Sequence, residues 1–287
     1  MKPTVAQPVV PPVSLVFLAI GSTQLGSALA KSLFAEIGPT GMVFLRVAFA
    51  ACILAVIWRP KWRPDGRPET RPSLRAVLLF GLSLSVMNFL FYQAIARVPV
   101  GIAVALEFTG PLGISVFKSR RWLEAVWVAI AAVGVCLLAP IGGFEVDWLG
   151  ILFSLAAGAG WAAYILMSAR VGRLLPGVEG LTWAMLFGAV LLVPVGLAPA
   201  LVVFQRPQLL LMVLGVALLS SALPYALELT ALRYVPVQVF GVLLSLEPMV
   251  AAITGWLILG ETLTLRAMVA IVLISIAAAG ASRYRNA

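Results

Sequence analysis

The chain has no histidine at all and only two cysteines. Without histidine there can be no zincin motif, no His-based triad and no imidazole proton relay. Cys52 and Cys136 each lie inside an apolar run, and they make neither a disulfide framework nor a metal-ligand spacing. No metal or cofactor is therefore expected. Charge is also scarce, at 11% of residues. Proton handling falls to carboxylates, or less readily to Lys or Tyr. Catalysis would have to rest on a bare carboxylate pair, so an enzyme is not expected. No ring of charges points to a channel.

Apolar residues are abundant: the chain is 62% hydrophobic with a mean hydropathy of +1.07. No soluble core needs that much apolar surface, so the composition predicts an all-α polytopic membrane protein. Ten apolar segments are read, at about 13–34, 40–58, 74–96, 100–118, 122–140, 148–169, 179–198, 208–232, 236–258 and 264–282. Pro and Gly mark the joints at Gly38-Pro39, Pro99, Pro140 to Gly143, Pro176-Gly177 and Pro236. The one long polar loop, residues 59–75, is too short to be a domain. Lys2, the run Val13–Ile20 and Ala28-Leu29-Ala30 loosely fit a signal peptide. That reading is rejected because the internal repeat described below uses the segment as a full span.

With the N-terminus inside, fifteen of the twenty bases fall on cytoplasmic segments: Lys2, the 59–75 cluster, Lys118, Arg120, Arg121, Arg170, Arg173, Arg233, Arg283 and Arg285. The positive-inside rule then gives ten spans, N-in and C-in. The net charge of +9 is accounted for by topology, so nucleic acid is not a predicted partner. The lipid bilayer is, and its anionic inner leaflet suits the basic loops.

Shifting the chain by 137 residues superposes landmarks without a gap: Gly21 on Gly158, Pro39 on Pro176, Val98-Pro99 on Val235-Pro236, Pro111 on Pro248, and Glu124 on Glu261. Five spans per half is an odd number, so the halves enter from opposite sides. This predicts two inverted five-helix repeats, residues 1–139 and 140–287, with a binding site near the midplane between them.

The candidate site is built around Val100 to Lys118, VGIAVALEFTGPLGISVFK. Glu107 is its single acid, about 12 Å along a helix from Pro99 and so near mid-depth. Gly110 and Pro111 follow on the same face, and the Pro111 ring opposes the Glu107 carbonyl, weakening the helix at the acid. A carboxylate at this depth marks a pathway or serves as structural glue in the bundle. The repeat favours the pathway, because Ser245, Glu247 and Pro248 put a second acid about 16 Å in from Pro236. Gln24, Ser27 and Lys31 share one face of segment 1, and their repeat mates in segment 6 are Trp161, Tyr164 and Ser168. Asn88 and Tyr92 share a face of segment 3, as do Tyr225 and Glu228 in segment 8. Segments 1, 3, 4, 6, 8 and 9 are thus predicted to line a cavity. Segments 2, 5, 7 and 10 are read as lipid-facing, scaffold or dimer-contact elements. Arg46, in segment 2, has Glu107 as the obvious partner. Lys31 either reaches the cavity or snorkels to the interface, and Glu228 can pair with Arg233 one turn away. Glu124 and Glu261 sit at span ends and are read as helix-start or gate residues.

The stretches GSALAKSLF (26–34), LRVA (45–48), NFLFYQAI (88–95), GIAVALEFTGPL (101–112), GAGWAAYIL (158–166), ALPYALELTAL (222–232), FGVLLSLEPMVAA (240–252) and LGETLT (259–264) resemble the bacterial threonine/homoserine exporters. These form part of the EamA branch of the drug/metabolite transporter superfamily. The likeness runs through nearly the whole chain, with EFTGP and LSLEP its most specific stretches. It departs from strict symmetry where the first half has Trp122-Leu123-Glu124 in place of Gly260-Glu261. The resemblance implies a ten-span carrier of the bacterial inner membrane that exports small amino acids by proton antiport. In that reading Glu107 is the first choice for the coupling carboxylate and Glu247 the second, with Arg46 tuning them. A zwitterion would place its ammonium on Glu107 or Glu247, and its carboxylate on helix-break N–H groups or Lys31. Asn88, Gln24, Tyr92 and Tyr225 would read a hydroxyl. The alternative is another small metabolite or an amphipathic drug on the same fold. Small-residue spacings fit a monomer or a homodimer alike.

Overall fold

The computed structural model describes residues 11–60, 74–118, 122–138, 147–172, 175, 178–232 and 234–283. Among these residues every regular element is helical. The order is α1 (Pro12–Ser32), α2 (Phe34–Trp58), α3 (Leu74–Ile95), α4 (Val100–Glu107), α5 (Thr109–Lys118), α6 (Trp122–Leu138), α7 (Trp148–Val171), α8 (Glu179–Ala200) and α9 (Val202–Gln205). It continues with α10 (Pro207–Ala217), a π turn (Leu218–Ala222), α11 (Leu223–Ala231), α12 (Val237–Leu244), α13 (Glu247–Leu259) and α14 (Leu265–Arg283). Among the described residues seven helical stretches are long and apolar enough to cross a membrane, and three shorter apolar ones accompany them. The chain is a multi-pass membrane protein. The joints expected at Pro140 to Gly143 and Pro176-Gly177, most of the 59–75 loop, and Lys2, Arg120, Arg121, Arg173, Arg233 and Arg285 lie outside the described residues.

Prolines and glycines set the helix boundaries. Pro12 and Pro207 open α1 and α10, where a missing N–H costs nothing. Pro99 and Pro236 precede α4 and α12 with nearly the same backbone, φ −55°, ψ 143° and φ −56°, ψ 141°. Asp147 caps α7 by accepting from Leu149 N–H at 2.9 Å. Gly260, at φ 66°, ends α13 in the left-handed region that a side chain disfavours. Gly38, at φ 73° and ψ 158°, kinks α2 just before Pro39, so that joint is a kink rather than a loop.

The segments predicted as single helices 4 and 9 are both broken. α4 stops at Glu107 and α5 resumes at Thr109; α12 stops at Leu244 and α13 resumes at Glu247. A hydroxyl recovers a freed carbonyl at each break: Thr109 Oγ1 donates to Leu106 O and Ser245 Oγ to Val242 O, both at 2.6 Å. Segment 8 carries an unpredicted π turn.

Packing is inside-out relative to a soluble protein. Phe17, Val56, Val190, Leu211, Leu257 and Leu265 are exposed, while Gln24, Arg46, Asn88, Ser154, Thr182 and Ser220 are buried. Lipid accepts the first set, and the second must find partners within the bundle. α3 packs on α7, and α1 on α10, the π turn and α11. α2 packs on α8, α4 on α13, and α6 on α14. The α4–α5 break lies hard against α7. A Cβ on Gly110 would collide with the Gly158 carbonyl, and one on Gly158 with the Glu107 carbonyl. Gly110→Ala is therefore expected to destabilise the protein by about 1–3 kcal/mol through overpacking, read as a lower thermal unfolding midpoint in detergent.

Candidate functional site

The breaks in α4–α5 and α12–α13 and the π turn surround one polar cavity of about 140 Å³. Its walls come from α1 (Thr23, Gln24, Ser27), α3 (Met87, Asn88, Phe91), α4 (Val104, Glu107) and α7 (Trp161, Tyr164). Ser220, Pro224, Tyr225 and Glu228 close it from the π turn and α11, and Glu247 from α13. These are segments 1, 3, 4, 6, 8 and 9. Segment 2, read as scaffold from the sequence, adds Arg46. Its single buried base makes one turn of α2 part of the wall.

Three carboxylates thus share a small cavity with one guanidinium. Glu107 closes α4 and Glu247 opens α13, so the two acids flank their breaks from opposite ends. The carbonyl end of α4 opposes negative charge at Glu107, whereas the N–H end of α13 favours it at Glu247. Asn88 Nδ2 is committed to Leu84 O at 2.8 Å. Gln24 is 2% exposed, and its Oε1 is buried without a hydrogen-bond partner. Trp161 packs edge-on against Phe108 at the α4–α5 break, with ring centroids 4.8 Å apart.

Three of the predicted residues stand elsewhere. Tyr92 is fully buried outside the cavity wall, with its ring beneath the Arg46 guanidinium at 5.4 Å. One turn beyond Asn88 on α3, it supports the cation instead of facing a solute. Ser245 spends its hydroxyl on the α12 carbonyl at the break. Lys31 does not reach the cavity: its Nζ lies 2.6 Å from Glu261 Oε1 and 2.8 Å from Val98 O. Glu261 Oε2 accepts from Val100 N–H at 2.9 Å, so the pair ties together the ends of α1, α3–α4 and α13–α14. The expected Arg46–Glu107 ion pair is not formed; Arg46 instead donates to the π turn. The suggested Glu228–Arg233 pair involves a base outside the described residues, and nothing is described of the Glu124 side chain. Gly110 and Pro111 lie in the first turn of α5, and Pro248 in that of α13.

Ser220 and Pro224 were missed by sequence reasoning, although Pro224 inside an apolar run was a legible signal. A second cavity of about 170 Å³ lies on the side of the α7 C-terminus. It shares Tyr164, Tyr225 and Glu228 with the first, so these three form the partition between them.

The sequence profile of the EamA-like transporter family matches residues 11–139 and again 148–283. The threonine/homoserine exporters RhtA of Salmonella typhimurium and of Escherichia coli K12 are each 42% identical to this chain over 259 residues, covering 90% of it and 86% of the relative. An uncharacterized transporter of Archaeoglobus fulgidus is 26% identical over 195 residues, covering 66% of this chain and 70% of its own. A protein of known crystal structure aligns with a TM-score of 0.60 at 20% identity, covering 94% of this chain and 96% of its own, a likeness of fold alone. The chain belongs to the EamA-like transporter family, and is a transporter rather than an enzyme.

Proposed function

We propose that this chain is a secondary-active exporter of small amino acids of the threonine/homoserine kind, working by proton antiport and alternating access in the bacterial inner membrane. The observation that carries the reading is the cavity itself. It offers both charges a zwitterion needs, Arg46 and the trio Glu107, Glu228 and Glu247, with the unpartnered Gln24 carbonyl for a hydroxyl or ammonium. Three carboxylates and one guanidinium cannot all hold charge together in a low-dielectric cavity, so protons or a cationic group must balance them. That requirement couples solute exchange to proton uptake. A cavity of about 140 Å³ accommodates a small solute. A single guanidinium is a poor match for a phosphate. The exporters at 42% identity support the amino-acid assignment.

The architecture that goes with this function is ten spans, N-in and C-in, in two inverted repeats at 1–139 and 140–287. Two findings support it. The family profile matches once in each half. Exchanging the halves at the 137-residue offset turns the α3–α7 packing into the packing of α10–α11 on α1, and returns α2–α8 and α6–α14 to themselves. In this frame the Lys31–Glu261 pair closes the periplasmic end, and the Tyr164–Tyr225–Glu228 partition stands on the cytoplasmic route.

The test is solute flux in proteoliposomes under an imposed pH gradient, with labelled homoserine and threonine. Gradient-dependent movement that disappears when the gradient is collapsed is the expected result. Movement indifferent to the gradient would remove proton coupling, and no movement of either amino acid in folded protein would remove the solute assignment.

A further inference from the structure

The π turn has a local cause with a consequence at the cavity. In an α-helix Ser220 O would accept from residue 224, but Pro224 has no N–H. Leu219 O would accept from Leu223, but Leu223 N–H bonds back to Leu218 O instead, the five-residue step of a π turn. Two carbonyls are released and both find side chains. Leu219 O accepts from Ser22 Oγ at 2.6 Å, and Ser220 O from Arg46 Nη2 at 3.2 Å. Ser221 Oγ takes Arg46 Nε at 3.1 Å.

Arg46 is only 7% exposed, and it borders the cavity. Its guanidinium has five N–H donors, of which the π turn takes two. Among the described residues no carboxylate lies within ion-pair distance of it. Tyr92 covers one face of the group. The π turn thus fixes one edge and Tyr92 stands against the group, so the donors left over are those available at the cavity that Arg46 borders. A planar edge of parallel N–H donors matches a carboxylate in a bidentate fork. Lys31, the other base weighed for this role, is held by Glu261.

We propose that Arg46 binds the carboxylate of the transported amino acid, and that Ser220 and Ser221 of the π turn position its guanidinium for that contact. The inference rests on the amino-acid reading above and deepens it. Arg46 is thereby given a solute-binding role, and amines without a carboxylate are excluded.

The test uses the full chain in proteoliposomes and gradient-free counterflow of labelled homoserine. The competitors are unlabelled homoserine and 3-aminopropan-1-ol, the same skeleton without its carboxylate. In the wild type homoserine competes and the amino alcohol is about a hundredfold weaker. Arg46→Gln is expected to raise KM for homoserine roughly a hundredfold and to collapse the discrimination to within about threefold. Arg46→Lys falls between, since it keeps the charge but not the fork. Ser221→Ala is expected to raise KM roughly fivefold, more than it lowers the maximal rate, and Ser221→Thr to restore it. If Arg46→Gln does not assemble, Arg46→Lys and the two Ser221 variants decide. Discrimination retained in the Arg46 variants, or a Ser221→Ala effect confined to the maximal rate, overturns the assignment while leaving the amino-acid reading intact. A wild type that carries no amino acid overturns both.

Discussion

Glu107→Gln is expected to reduce gradient-driven flux to the level of protein-free vesicles while gradient-free counterflow of homoserine continues. Glutamine keeps the shape and hydrogen-bonding capacity of a protonated glutamic acid but has no proton to release. The position makes the proton consequential. Glu107 is the last residue of α4, at the break, and faces the cavity shared with Glu228, Glu247 and Arg46. Its backbone carbonyl is the one against which Gly158 packs, so the acid sits on the α4–α7 contact. The two assays separate coupling from folding, because a misassembled protein loses both activities. Gradient dependence that survives in Glu107→Gln would pass the coupling role to Glu247 or Glu228, and the same substitution at each of those acids would then locate it.

Much of this site was legible before any fold. Composition and hydropathy announced the membrane chain, because burying so many apolar residues has no other outlet. The 137-residue offset brought Glu107 and Glu247 together as acids beside paired prolines, and both stand at helix breaks on one cavity. What was not legible depended on where single side chains point. Arg46 and Glu107 were matched by depth alone, and depth says nothing of azimuth; the guanidinium turns to the carbonyl released by Pro224. Tyr92 and Asn88 share a helical face, yet one turn of rise separates a wall residue from one beneath Arg46. Lys31 was ambiguous because its partner, Glu261, is 230 residues away and outside the periodicity of α1. The π turn was hidden because a serine pair and a proline inside an apolar run read as an ordinary membrane helix, in which such residues are tolerated.

Removing the Lys31–Glu261 pair is expected to open the end of the bundle where α1, α3–α4 and α13–α14 meet. The two groups are 2.6 Å apart with side chains 21% and 12% exposed, and each makes one further hydrogen bond, to Val98 O and from Val100 N–H. Gly255 leaves the room that the Glu261 carboxylate occupies, since a Cβ there would collide with Oε2. Charge-assisted contacts of this kind hold about 1.5–3 kcal/mol, which corresponds to a shift of roughly ten- to a hundredfold between closed and open forms. At the 137-residue offset the mate of Lys31 is Ser168, so this cation has no counterpart at the equivalent position of the other end. In the proposed alternating-access cycle the two ends would then differ: one is held by an ion pair that would have to break, the other by the partition of Tyr164, Tyr225 and Glu228. The measurement is labelling of Ser27→Cys, on the cavity wall, by a membrane-impermeant thiol reagent applied from the latched side, with Cys52 and Cys136 replaced by Ser. Lys31→Ala and Glu261→Ala should each speed labelling by roughly tenfold or more. The double variant should be no faster than the singles, because both remove the same contact. Equal labelling rates in all four proteins would reduce the pair to a surface tie and return the closing of that end to helix packing alone.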